Sequence, residues 1–127
     1  MFKLIAAVIL MTANIASAAV VEVTSEADYE AIVNQAKPVI IMFGASWCPA
    51  CGEAKPAFVE AEKLYKGKVI FAYFDVDKVQ VGGIPYIPSY VTTFITGDFN
   101  QDSLNKLESR DVQGLIKYIE EQHNIKP

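Results

Sequence analysis

The chain has 127 residues, 52% of them apolar and 20% charged, a make-up that suits one globular domain and leaves no room for a second of ordinary size. Eleven Lys and Arg against fifteen Asp and Glu give a net charge of −4, so the basic footprint required of a nucleic-acid or membrane-surface binder is missing. Two cysteines and a single histidine, His123, exclude a disulfide-scaffold fold and cannot supply the four soft ligands of a structural zinc site.

Residues 1–18 read as a cleavable export signal. Lys3 is a short positive region, Leu4 to Met11 is an apolar run of eight residues, and Ala16-Ser17-Ala18 puts small residues where a signal peptidase reads. That run is far shorter than the roughly 20 apolar residues of a spanning helix, and Thr12 and Asn14 interrupt its continuation. Cleavage is expected after Ala18, with residues 19–127 delivered, without membrane insertion, to a periplasmic or secreted, oxidising space where a cysteine pair persists as a disulfide.

The remaining chain alternates strand and helix signals with short connections. Val20 to Val23 is a β-branched run. Thr24 and Ser25 are N-cap candidates for an amphipathic helix whose apolar positions are Tyr29, Ile32, Val33 and Ala36. Pro38 bars its continuation, and Val39 to Phe43 is an unbroken apolar stretch, as expected of a central strand covered on both faces. Residues 48–65 carry Cys51, Ala54, Phe58, Ala61 and Tyr65 at helical spacing, with Pro56 inside as a kink candidate and Gly67 as the terminator. Val69 to Phe74 reads as a third strand, and Tyr90 to Ile95 and Phe99 to Gln101 as two more around a Thr96-Gly97-Asp98 turn. Val112, Leu115, Ile116 and Ile119 repeat the helical period behind an N-cap candidate at Ser109.

The informative segment is Trp47-Cys48-Pro49-Ala50-Cys51, where the apolar strand gives way to a helix. Cys48 falls at the N-cap and Pro49 at the first helical position, which tolerates a missing N–H. Unpaired amides and the positive end of the macrodipole there favour a Cys48 thiolate, making it the attacking residue. Cys51, one turn on and turned more towards the core, can then attack the mixed disulfide as the resolving residue. Pro49 and Ala50 tune Cys48 mainly through backbone geometry. Two other readings fit the spacing: a structural disulfide, which would stabilise little across so short a loop, and half of an intermolecular site for a soft ion such as Cu(I).

With these residues in place the chain resembles the thioredoxin superfamily over residues 20–124. Trp47 before Cys48 and Cys51 at the end of the central strand matches the family pattern, as does Pro56 five residues after the second cysteine. The resemblance implies a three-layer α/β/α sandwich with a mixed central sheet, and a cis-proline opening the next-to-last strand beside the reactive sulfur. Ile87-Pro88 is the match, because Ser89 to Phe94 follows as a strand; Pro85 after Ile84 is the alternative. In the family the backbone beside that proline pairs with an extended substrate segment, so Ile87, Pro88 and Trp47 are the expected docking residues.

Two departures stand out. Many relatives carry a buried carboxylate six residues before the first cysteine, where this chain has Met42. Only Lys78 to Ile87 separates the third strand from Pro88, so the family's usual helix there must be shortened or absent. Asp75 and Asp77 are read as solvated strand-end residues, Tyr86 and Tyr90 as packing or surface residues, and His123 as a tail residue without a catalytic role. The resemblance implies a thiol–disulfide oxidoreductase acting on protein thiols and disulfides, leaning to a reductase recharged by a membrane redox partner. The only redox cofactor expected is the Cys48–Cys51 disulfide itself, with no bound metal. The alternative is a binding or assembly module in which redox turnover is secondary.

Overall fold

Alternating apolar residues on one buried strand, Val39–Gly44, determine which helix each side of the sheet receives. The computed structural model describes residues 19–127, so the expected export signal lies outside the described residues. The elements are β1 (Val21–Val23), α1 (Glu26–Val33), β2 (Val39–Gly44), α2 (Pro49–Tyr65), β3 (Ile70–Asp75), β4 (Ser89–Thr93), β5 (Phe99–Asn100), a 3-10 turn (Gln101–Ser103) and α3 (Val112–His123). Spatial order is β1-β3-β2-β4-β5. β1 and β2 run parallel to β3, whereas β4 is antiparallel to β2 and β5 to β4. This is the mixed five-stranded α/β/α arrangement expected from the sequence.

All of β2 is buried, as a strand between two helical layers requires. Val39, Ile41 and Phe43 point to one side, where Ile32 of α1 closes the core with Ala72, Phe74 and Val91. Ile40 and Met42 point to the other, against Ala54, Phe58 and Ala61 of α2 and Leu115, Tyr118 and Ile119 of α3. Each large side chain buried this way contributes about 1.5–3 kcal/mol.

Helix starts follow local chemistry. Ser25 caps α1, its Oγ accepting the Asp28 N–H at 3.2 Å. The cap of α3 is Asp111 rather than Ser109: Asp111 Oδ1 accepts the Gly114 N–H at 2.8 Å, while Ser109 Oγ donates to that carboxylate at 2.9 Å. These bonds hold the Asp111 carboxyl below its ordinary pKa, the Gly114 amide first among them. The helix starts two residues later than expected because a carboxylate in register with the third amide is the better cap.

Three other boundaries shift. α1 stops at Val33, and Ala36 takes a left-handed φ of 53° as the chain reverses before Pro38. β4 stops at Thr93, leaving Phe94 and Ile95 exposed in a wider turn closed by Phe94 N–H to Asp98 O at 2.9 Å and Gly97 N–H to Phe94 O at 2.8 Å. Gly97 there has a φ of 95°, and a β-carbon on it would lie 2.5 Å from Val33 Cγ1. β5 ends at Asn100 because its side chain caps the 3-10 turn, accepting the Asp102 N–H at 3.2 Å. Among the described residues, turns rather than a helix connect Asp75 to Ser89. His123 is the last residue of α3, not a tail residue, and is half-buried, with burial lowering its pKa.

Candidate functional site

β2 ends at Gly44, and the chain turns through Ala45, whose carbonyl accepts the Cys48 N–H at 3.2 Å. Cys48 is the N-cap of α2 and Pro49 its first residue, the placement expected from the sequence. Cys48 and Cys51 form a disulfide with Cα atoms 5.3 Å apart. The Cys51 N–H donates to Cys48 Sγ at 3.1 Å, so a helix-terminal amide that would otherwise lack a partner points at that sulfur. When the disulfide opens, this amide and the helix dipole stabilise negative charge on Cys48. The sulfurs differ in access: Cys48 is 7% exposed and Cys51 1%. Cys48 is therefore the more accessible of the two sulfurs.

The predicted docking residues gather around Cys48. Its Sγ lies 4.0 Å from the Ile87 carbonyl oxygen, and Ile87 packs against the cysteine pair together with Val76. The Ile87–Pro88 peptide is cis, and Pro85 sits exposed in the preceding loop. Pro49 and Ala50 are exposed on the helix start. Trp47 is 65% exposed, and its indole Nε1 donates to Asp77 Oδ2 at 2.8 Å. Asp77 is in turn held by its own N–H, which donates to Asp75 Oδ1 at 3.0 Å. Asp77 thus orients the tryptophan, a role its sequence context did not signal. Tyr86 is exposed beside the cis peptide, whereas Tyr90 is fully buried and belongs to the core.

The departure at Met42 expected from the sequence is seen in the fold. Met42 is buried where many relatives place a carboxylate, flanked in register by Tyr73 and Tyr90. Ionisable groups instead line a cavity of about 280 Å³ beside both cysteines: Glu22, Lys55, Tyr73 and Asp75. Lys55 Nζ is 3.0 Å from Glu22 Oε2 and 4.0 Å from the centroid of the Tyr73 ring. Burial, followed by the charges of Asp75 and Glu22, pushes the Tyr73 phenol above its ordinary pKa. Gly44 makes room for that ring, since a β-carbon there would lie 2.8 Å from Tyr73 Cζ. The sequence signal for Lys55 was its position four residues after Cys51, on the same helical face. Among the described residues, no group of three or more His, Cys, Asp and Glu is placed to hold a metal ion.

Comparison with known proteins gives a consistent relationship. The family model described as thioredoxin matches residues 20–121. Thioredoxin 1 of Plasmodium falciparum is 40% identical over 57 residues, 45% of this chain and 54% of that protein, so the chain matches about half of its length. The thioredoxin-like protein CXXS1 of Oryza sativa subsp. japonica is 36% identical over 112 residues, 84% of this chain and 82% of that one. The solution structure of oxidised thioredoxin from Plasmodium falciparum superposes with a TM-score of 0.63 at 28% identity, covering 81% of this chain and 97% of the other.

Proposed function

The chain belongs to the thioredoxin family, and from that premise we propose that it is a thiol–disulfide oxidoreductase of protein substrates, working as a reductase in a periplasmic or otherwise oxidising space. The observation that carries this reading is the Cys48–Cys51 pair at the start of α2, with the Cys51 amide aimed at Cys48 Sγ and the two sulfurs unequal in access. Cys48 thiolate attacks a substrate disulfide, one substrate sulfur leaves with its electron pair, and a mixed disulfide forms. Cys51 thiolate then attacks Cys48 Sγ, re-forming the intramolecular disulfide and releasing the second substrate thiolate. Ile87 offers its backbone to an extended substrate strand, Pro88 shapes that edge, and Trp47, fixed by Asp77, covers the adjoining surface.

Isoleucine before the proline, and a domain without an inserted helical unit, favour the reducing direction. Continued turnover then needs a membrane electron donor to recharge the pair. Export rests on the Lys3, Leu4–Met11 and Ala16-Ser17-Ala18 pattern. The test is the equilibrium reduction potential of residues 19–127 against a dithiothreitol or glutathione buffer, with insulin reduction as the activity. A potential near roughly −270 mV or lower, with turnover abolished in Cys48→Ser, is expected. A value near roughly −120 to −180 mV would reverse the direction to an oxidant or isomerase. A pair that forms no reversible disulfide would replace the enzyme with a binding module.

A further inference from the structure

The resolving step needs a Cys51 thiolate, yet Cys51 is 1% exposed and packs in an apolar cluster with Ala45, Val76 and Ile87. Burial without a compensating charge raises a thiol pKa and slows the step. A cavity of about 280 Å³ lies against Cys51. Four ionisable groups besides the cysteines line it: Glu22 from β1, Lys55 from α2, and Tyr73 and Asp75 from β3. Tyr90 of β4 lies close enough to interact electrostatically with Tyr73. Lys55 is the single cation of this set, and the other charged members are carboxylates that oppose ionisation of Cys51.

The position of Lys55 is doubly constrained. It stands one helical turn after Cys51, which puts their β-carbons about 6 Å apart on one face. Its ammonium is held at 3.0 Å from Glu22 Oε2 and at 4.0 Å over the Tyr73 ring. Gly44 allows that ring to lie across the end of β2, where a side chain would displace it. The cation is thus tied to the wall of the cavity that Cys51 shares.

We propose that Lys55 is a positioning residue for the resolving step, its tethered charge offsetting the cavity carboxylates so that Cys51 ionises and attacks the mixed disulfide. The proposal rests on the oxidoreductase reading above. In the step concerned, Cys51 loses its proton to solvent through the cavity. Its thiolate forms the bond to Cys48 Sγ as the Cys48–substrate bond breaks, and the leaving sulfur carries the electron pair. The two cysteines are oxidised and the substrate disulfide is reduced.

Fully reduced protein mixed with excess 5,5′-dithiobis(2-nitrobenzoate) in a stopped-flow instrument separates the steps. The first release of thionitrobenzoate reports Cys48, and the second reports Cys51. Lys55→Met is expected to raise the pH midpoint of the second phase by about one unit, the lower end of the effect of a nearby opposite charge. Below that midpoint the phase slows about threefold, the lost thiolate fraction being offset in part by higher intrinsic nucleophilicity. Lys55→Arg restores the parent midpoint. Glu22→Gln, which keeps an acceptor for Lys55 but removes a negative charge, moves it down by a smaller amount because Glu22 is more exposed. An unmoved midpoint in Lys55→Met, or shifts of the same sign in Lys55→Met and Glu22→Gln, overturns the proposal. Absence of the first phase in the parent protein would instead overturn the oxidoreductase reading. Thermal melts of each variant show that the comparison is made between folded proteins.

Discussion

On the α1 side of the sheet, β2 and β3 bury Val39, Ile41, Phe43, Ala72 and Phe74, and the ring stack of Phe43, Phe74 and Phe99 is hydrocarbon throughout. On the α2 and α3 side the same strands bury Ile40, Met42, Phe71 and Tyr73, joined by Tyr65, Tyr90 and Tyr118. Both faces are dry enough to hold the sheet, yet the second carries three fully buried tyrosines and borders the cavity beside Cys51, whereas Tyr29 on the first is only partly buried. Tyr118 donates to the Ser103 carbonyl at 2.7 Å and Tyr65 to the Ile125 carbonyl at 3.2 Å, while the buried Tyr90 hydroxyl finds no protein partner. The apolar face can therefore be understood as packing, and the tyrosine face as packing fitted around polar tips and a reactive end. A β2 residue in the centre of the first face, such as Phe43, should govern stability alone, whereas Val76 and Ile87 at that face's edge, and residues on the second, can govern chemistry as well.

The largest expected effect that tests this division is Phe43→Ala. It removes a fully buried ring with edge contacts to Phe74 at 5.3 Å and Phe99 at 5.9 Å and should cost about 3–5 kcal/mol in urea unfolding. The pH midpoint of Cys51 resolution should be unchanged. A shifted midpoint in a variant that remains folded would break the separation of the faces.

Alkaline pH gives the next test. Burial pushes Tyr65, Tyr90 and Tyr118 up to about 12, and Tyr29, on the α1 side, up to about 12 as well. A phenol with a higher pKa in the folded state keeps its proton while the unfolded chain loses it. Stability is therefore fully present below about 10 and declines as pH rises towards 12. Urea midpoints should fall as pH rises from about 10 towards 12. Tyr29→Phe should retain most of that fall, because three of the four phenols lie on the opposite face. If Tyr29→Phe alone abolished it, the tyrosine-rich face would not be the alkaline-sensitive one.

The smallest effects are opposite in sign. Tyr118→Phe deletes the donor to Ser103 and should cost about 1 kcal/mol. Tyr90→Phe removes a buried hydroxyl without a protein partner and should leave the fold as stable or about 1 kcal/mol more so. Equal losses in paired denaturant titrations would show that the two hydroxyls are equivalently satisfied.

Much of this architecture was legible from residue order. Helical spacing in residues 48–65, the uninterrupted Val39–Phe43 run and the placement of Cys48 and Pro49 each depend on interactions within a few residues. Local sequence therefore determined the central strand, the long helix and the cysteine pair at its start. The boundaries that moved depend on partners brought from elsewhere: Gly97 packs on Val33, widening the turn beyond Thr93, and Asp111 rather than Ser109 receives the Gly114 amide. The same distinction governs the site. Cys48 and Cys51 announce themselves by spacing, but the Asp77 anchor for Trp47 spans 30 residues and the Glu22 partner of Lys55 spans 33. Neither pairing has a local pattern, because each arises only when the sheet order β1-β3-β2 brings separate strands to one end of α2. Sequence alone determined which two sulfurs stand together at the start of α2; the tertiary structure decided which charges surround them, since electrostatic influence follows distance through space rather than along the chain.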